Sequence, residues 1–275
     1  MALITLTTDF GTEDPYVAQM IGVIRNRAPG ALIDHLTHSI APQDILGCAF
    51  FLSQACLWFP SGTIHTALVD PGVGTERKAV AVRALESCFI VPDNGALTLL
   101  LNLNSDSPLP YEARTIESPA LLPKTISSTF HGRDIFAPAA AYLAKGMPFE
   151  EIGPIAASEK STSASLSALP IRQPEHDHKA EGGTIITGTV LRIDHFGNII
   201  SNITLSPDEQ KRVSRVHIEG KTVTGLHRTY GEVPKGKLLS LIGSHGYLEV
   251  GCNQGSASQK TGSSIYSEIS AELFS

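Results

Sequence analysis

Clusters of basic residues are missing from this 275-residue chain. Its 21 Lys and Arg are scattered and are outnumbered by 27 Asp and Glu. The net charge of −6 and an isoelectric point near 5.9 leave no positive field to neutralise phosphates, so nucleic acid is not expected as a partner. Long apolar runs are missing too. The longest, Ile45 to Phe59, is broken by Ser53 and Gln54. It falls short of the roughly 18 residues a bilayer span needs, so it reads as a buried helix and no membrane is expected. Cysteines at metal-ligand spacing are also missing: Cys48, Cys56, Cys88 and Cys252 stand singly, three of them in apolar runs where a thiol behaves as a small hydrophobe. If Cys48 and Cys56 share a helix they lie about 12 Å apart, too far to bridge. No basic stretch, apolar core and small-residue cleavage site precede the strand-like Ile4-Thr5-Leu6-Thr7. A reducing, cytoplasmic setting is the expectation.

What is present divides into two patterns, and two domains are expected. Up to about residue 155, short β-branched strands (3–8, 63–69, 79–83, 88–92) alternate with helix-length segments (15–27, 43–58, 95–102, 134–145). Alternation of this kind predicts an α/β domain with a largely parallel sheet covered by helices. Residues 156–182 turn small and polar, with Pro170, Pro174 and the run Glu175-His176-Asp177-His178, and read as a linker. From 183 to 275, strands at 184–193, 199–205, 213–218, 238–242 and 247–250 alternate with Gly, Asn and Pro turns and no convincing helix. A small all-β domain is expected there.

Polar residues at strand ends carry the chemistry. Asp70 and Arg77 fall in Val69-Asp70-Pro71-Gly72-Val73-Gly74-Thr75-Glu76-Arg77, and His131 in Thr129-Phe130-His131-Gly132-Arg133-Asp134. An acid, a permanent cation and an imidazole can together hold and polarise a water molecule without a metal. A surface salt bridge and a structural histidine are the plainer alternatives. Asp9, in Thr7-Thr8-Asp9-Phe10-Gly11, ends the first strand, where a carboxylate suits a ribose diol or caps the next helix. The Asp-Phe-Gly triplet lacks the Gly-rich strand and lysine strand of a kinase. Gly72-Val73-Gly74 lacks the Lys-Ser/Thr of a phosphate loop. Asn94, in Pro92-Asp93-Asn94-Gly95, is a pocket-lining candidate or a plain turn residue. In the second domain, Asp194 and Asn198 in Asp194-His195-Phe196-Gly197-Asn198 suit an ammonium and a base edge, or a self-satisfied hairpin. Ser244-His245-Gly246 and Asn253-Gln254-Gly255 add polar loops suited to a carboxylate or adenine.

Taken in order, Thr8 to Gly11, Asp70 to Arg77, Pro92 to Gly95, Thr129 to Asp134, Asp194 to Asn202 and Gly246 to Ala257 resemble the S-adenosyl-L-methionine hydroxide adenosyltransferases, relatives of the fluorinase and chlorinase. The resemblance spans nearly the whole chain. It implies a Rossmann-like N-terminal domain and a C-terminal β-barrel, assembled as a homotrimer whose active sites lie between neighbouring subunits. It also implies hydrolysis of S-adenosylmethionine to adenosine and L-methionine, with no metal and no cofactor beyond the substrate. By this resemblance Asp70, Arg77 and His131 form the water-handling set and Asp9 holds the ribose. Asp194 meets the methionine ammonium, Asn198 the adenine and Ser244 the methionine carboxylate, and Asn94 and Phe196 complete the expected substrate-binding set.

Departures from the halogenases bear on the nucleophile. Those relatives lack the Asp/Arg/His set, and the fluorinase carries an extra loop absent here between Arg83 and Phe89. Aromatic positions that help enclose fluoride and substrate appear as Gln43 and Asp70, and the adenine-stacking Trp and Arg as Ile200 and Cys252. Attack at ribose C5′ expels a neutral thioether, which needs no general acid, so the task is to prepare the water. A carboxylate beside a guanidinium is a weak base, which leaves Arg77 to stabilise the developing hydroxide while Asp70 and His131 orient it and pass its proton outward. A halogenase, a non-catalytic S-adenosylmethionine or adenosine binder, and a metal-dependent hydrolase are the competing readings.

Overall fold

A computed structural model of the chain describes residues 1–158, 165–179 and 183–274. Residues 159–164 and 180–182 of the expected linker lie outside the described residues. Two compact units result, Met1–Leu169 and Pro170–Ser275.

The first unit runs β1 (Leu3–Thr8), α1 (Tyr16–Arg27), β2 (Leu32–Thr37), α2 (Ile45–Ala55), β3 (Ile64–Leu68), β4 (Ala79–Ala84), β5 (Ser87–Pro92), α3 (Thr98–Leu101), β6 (Glu112–Thr115), α4 (Ala137–Ala144) and β7 (Ile155–Ser158). The sheet order is β2-β1-β3-β5-β4-β6-β7. The β2-β1-β3-β5 half is parallel, and β4, β6 and β7 extend it antiparallel. Because side chains alternate across a strand, Ala79, Ala81 and Ile90 face one core while Val80, Val82, Phe89 and Val91 face another. The first core is closed by α1, through Val17, Met20 and Ile24 at helical spacing, and by the alanines of α4, which permit close approach. The second is closed by α2, through Cys48 and Leu52, and by α3. Burying strands on both faces explains why β1 and β3 read as continuous apolar and β-branched runs.

The chain places α1 on one face between β1 and β2, then crosses with α2 on the other face to β3. The winding therefore reverses between β1 and β3, the place where open α/β sheets form a crevice beyond their carboxyl ends. Asp9 follows β1, Asp70 follows β3 and Asn94 follows β5, all at that edge.

The second unit holds β8 (Glu175–His178), β9 (Thr184–Ile193), β10 (Ile199–Thr204), α5 (Pro207–Arg212), β11 (Val213–Ile218), β12 (Lys221–Thr224), β13 (Leu238–Ile242), β14 (Tyr247–Cys252), α6 (Ala257–Thr261) and β15 (Glu268–Leu273). Its antiparallel order β12-β11-β15-β9-β10-β14-β13 curls until the end strands approach, with His227 N donating to Ser240 O at 2.7 Å. The result is a nearly closed barrel around Ile186, Val190, Ile199, Val216, Leu248 and Ile269. Two features differ from the sequence reading. The run 175–178, of linker composition, pairs with β9 as β8. The expected absence of helices is corrected by α5 and α6, whose signals are short capping patterns: Ser206 and Glu209 form a reciprocal capping box, and Ser256 Oγ caps Gln259 N. No helix among the described residues is long and apolar enough to cross a membrane.

Candidate active site

Arg77 organises the carboxyl edge of the first unit. Its Nε donates to Asp70 Oδ1 at 2.8 Å, its Nη2 donates to Asp70 Oδ2, and the same Nη2 donates to His131 Nδ1 at 3.0 Å. The side chains of Arg77 and Asp70 are only 11% and 9% exposed, and the guanidinium lies 5.2 Å from the centre of the Phe136 ring. A bidentate fork of this kind holds both partners in one geometry. The Nη1 hydrogens of Arg77 take no partner among the described residues.

A guanidinium cannot accept a hydrogen bond, so His131 Nδ1 is the acceptor and a neutral His131 carries its hydrogen on Nε2. Burial, and then the Arg77 charge, hold the His131 pKa below its ordinary 6.5. Both effects favour the neutral ring.

Local sequence explains the assembly. Gly74 adopts φ +77, and a Cβ there would stand 2.2 Å from Ser128 O, so only glycine lets the 70–77 loop lie against the 127–131 segment. That segment is tied down by Ser127 N, which donates to Asp134 Oδ2 at 2.8 Å, while Arg133 Nε donates to Asp134 Oδ1 at 2.7 Å. Hydrogen bonding from Arg133 holds the Asp134 carboxyl below the usual range. His131 then leads into a π-helical turn, Gly132–Phe136, which runs on into α4.

Asp70 and His131 line a cavity of about 210 Å³ together with Phe10, Tyr16, Leu68, Val73, Thr129, Phe130 and Gly132. Three of its walls are the rings of Phe10, Tyr16 and Phe130, with centroids 5.2 to 6.0 Å apart. Asp9 sits beside Phe10; its Oδ2 accepts from Gln43 N at 2.8 Å and its Oδ1 has no partner among the described residues. Asn94 is not among the cavity-lining residues. Its Nδ2 donates to Val69 O at 2.9 Å and its Oδ1 accepts from Ala96 N at 3.3 Å, so it braces the strand end that carries Asp70.

In the second unit, Asp194 Oδ1 accepts from Phe196 N at 2.9 Å and Asn198 N at 2.8 Å, and its Oδ2 accepts from Asn198 Nδ2 at 2.9 Å. Asn198 is buried, whereas Phe196 is 73% exposed and Ser244 lies exposed in the β13–β14 turn. Ile200 and Cys252 are both buried, and Cys252 belongs to the barrel core. Asn253 Nδ2 donates to Val233 O at 2.6 Å and holds a loop in place. Glu175-His176-Asp177-His178 is the exposed strand β8, and among the described residues no group of three or more His, Cys, Asp or Glu is placed to hold a metal ion.

Comparison with known proteins decides the family. The model of the SAM hydroxide adenosyltransferase N-terminal domain matches residues 4–153, and that of its C-terminal domain matches residues 188–270. The chain belongs to the SAM hydroxide adenosyltransferase family. It is 39% identical over 262 residues, 93% of each chain, to an (R)-S-adenosyl-L-methionine hydrolase of Thermus thermophilus. Similarity to a fluorinase of Actinoplanes sp. is lower, 25% over 283 residues and 91% of each chain. A crystal structure of an uncharacterized conserved protein from Thermotoga maritima superposes with TM-score 0.81 at 33% identity, covering 98% of this chain and 99% of that one.

Within this hydroxide adenosyltransferase, sequence reasoning did not single out the ring cluster Phe10–Tyr16–Phe130, the Asp134 tie, or a buried run in the second unit. There Asn198 Nδ2 also approaches Tyr230 Oη at 3.4 Å, and Tyr230 Oη donates to Glu249 Oε1 at 2.6 Å. Glu249 Oε2 accepts from His245 Nε2 at 3.1 Å. Aromatic residues near a glycine loop were a usable signal for the first. Tyr230 and Glu249 gave none, since one lies in a short turn and the other in an alternating strand.

Proposed function

We propose that this protein hydrolyses S-adenosyl-L-methionine to adenosine and L-methionine by in-line attack of a water oxygen on ribose C5′. The observation that carries the reading is the Asp70–Arg77–His131 cluster, held at the switch-point edge of a chain whose family and nearer named relatives are hydrolases. A halide pocket has no need of a group that draws a proton from the nucleophile.

Asp70 accepts one O–H of the water. The Nε2–H of His131 donates to its oxygen, leaving a lone pair for C5′, and an Nη1 hydrogen of Arg77 meets the further lone pair that opens as the proton leaves. His131 is thereby an orienting donor, because its acceptor nitrogen is already taken by Arg77. The O–C5′ bond forms, the C5′–S bond breaks with its electron pair passing to sulfur, and one proton leaves through Asp70 to solvent. The positive charge that entered as sulfonium thus departs as that proton. Charge dispersal along this path favours a site shielded from water, and holding the oxygen about 3–3.5 Å from C5′ lowers the barrier by several kcal/mol. The thioether needs no acid and the guanidinium supplies the positive charge, so the reaction draws on no metal or further cofactor and a chelator leaves its rate unchanged.

Asp9, with a free carboxylate oxygen, suits the ribose hydroxyls. Asp194 retains acceptor capacity on Oδ2 for the methionine ammonium, and the exposed Ser244 suits its carboxylate. A cavity of about 210 Å³ in the first unit holds only part of such a substrate, since drug-sized ligands occupy roughly 300 Å³ or more. The remaining site residues belong to the second unit, and the exposed Phe196 among them supports assembly as a homotrimer with sites shared between subunits. Four free thiols suit the reducing cytoplasm.

Incubation with S-adenosylmethionine in ¹⁸O-water followed by mass spectrometry tests the reaction. Label in the 5′-hydroxyl of adenosine is the expected result. Unlabelled adenosine, a 5′-halo product when chloride is added, or unchanged substrate overturns it.

A further inference from the structure

Resting on that reading, we infer that Tyr230, held by Glu249, is the positioning residue that fixes the Asn198 carboxamide with its oxygen free, so that the site selects a purine bearing a 6-amino group over one bearing a 6-oxo group.

Asp194 is a carboxylate and only accepts, so the Asn198 atom 2.9 Å from its Oδ2 is the amide nitrogen. Tyr230 has one hydroxyl hydrogen, committed to Glu249 Oε1 at 2.6 Å, so toward Asn198 Nδ2 at 3.4 Å its oxygen accepts. Burial, and then the Glu249 hydrogen bond, push the Tyr230 phenol well above its ordinary pKa and keep that hydrogen in place. Glu249 is only 3% exposed, and its second oxygen faces His245 Nε2 at 3.1 Å. His245 Nδ1 accepts from Tyr247 N at 3.1 Å, so Nε2 is the ring nitrogen that bears hydrogen toward Glu249.

Both amide hydrogens of Asn198 are therefore spoken for, and Asn198 Oδ1 takes no donor among the described residues. Gly251 leaves room for the arrangement: a Cβ there would stand 2.8 Å from the Tyr230 ring and 3.2 Å from Asn198 Oδ1. A fixed acceptor pairs with an exocyclic amine. Against a 6-oxo group it sets oxygen against oxygen, and a buried acceptor left unpaired costs about one to two powers of ten in affinity.

The test compares kcat and KM for S-adenosylmethionine and its 6-deaminated counterpart, S-inosylmethionine, in the wild type and in Tyr230→Phe. The wild type is expected to favour the amine in kcat/KM by about 100-fold, and Tyr230→Phe to narrow that ratio about tenfold, with the change in KM more than in kcat. A wild-type ratio within threefold, or a ratio unmoved by Tyr230→Phe in a folded protein, overturns the inference. If Tyr230→Phe does not fold, Glu249→Gln takes its place, and an unmoved ratio there overturns it equally. Should the wild type hydrolyse neither compound, the reaction assigned above fails while selectivity is still read by calorimetry with adenosine and inosine. Tighter adenosine then supports the inference, and equal or absent binding of both defeats it.

Discussion

Asp70, Arg77 and His131 share three hydrogen bonds through one guanidinium, so replacing any of them disturbs the other two. Asp70→Asn keeps the volume but turns one acceptor oxygen into a donor facing Arg77. Steady-state kinetics should show turnover reduced about 100-fold or more with KM within a few-fold if, as proposed, the carboxylate handles the nucleophile rather than the substrate. Acid should act through two histidines. His131 has its pKa lowered, so the rate should hold down to pH 6.5 and fall only below it, as protonation at Nδ1 displaces Arg77. His65 is buried against Phe89, and burial lowers its pKa from 6.5 to about 4. A base depressed in the folded state binds its proton first in the unfolded chain. Stability is therefore complete above about 6.5 and drains away as pH falls toward 4, by about 3 kcal/mol at about 1.4 kcal/mol per pH unit. Urea titrations across that range would show this slope, and a flat profile would contradict it. At this scale the clustering of Asp70, Arg77 and His131 was legible as a candidate site, because each member sits in a glycine-containing polar motif. Tyr230 and Glu249 were not, since nothing local in the chain reveals that a tyrosine in a turn donates to a glutamate in a strand and accepts from a distant asparagine.

Elements position these groups through a few close approaches. Gly74→Ala would place a methyl group against Ser128 O at a φ that alanine resists, and the strain of about 1–3 kcal/mol would fall on the loop carrying Arg77. The expected outcome is a large loss of turnover with a modest drop in the denaturation midpoint; full activity would show that the loop accommodates the change. The parallel strands were legible as β-branched runs because burial on both faces demands them. β2 was missed since it is mostly exposed or half-buried and its residues Leu32–Thr37 mix polar and apolar types, while α5 and α6 are single turns defined by capping rather than by periodicity. The helix expected at 43–58 forms as α2 and then tightens into a 3₁₀ turn at Cys56–Trp58. Between Arg83 and Phe89 the chain turns tightly through Leu85 and Glu86 at φ 50 and 57, a reversal suited to a hairpin with no room for a longer loop.

For the whole molecule, the proposed shared-site trimer makes a complementation prediction. Asp70→Asn and Asp194→Ala proteins, each with little activity, should regain part of the wild-type rate when co-expressed, because mixed trimers join an intact first unit to an intact second unit. Activity no greater than the sum of the two variants would exclude shared sites, and sedimentation would report the oligomer directly. The composition, the alternation of strands and helices, and the ordered loops were enough to establish two chemically distinct halves and the family, because burial and turn geometry act over a few residues at a time. Which hydrogens the side chains surrender was decided only in three dimensions. Arg77 claims the acceptor nitrogen of His131 and Tyr230 claims the second amide hydrogen of Asn198 across long stretches of chain, and such pairings exist only once packing has excluded water from between them.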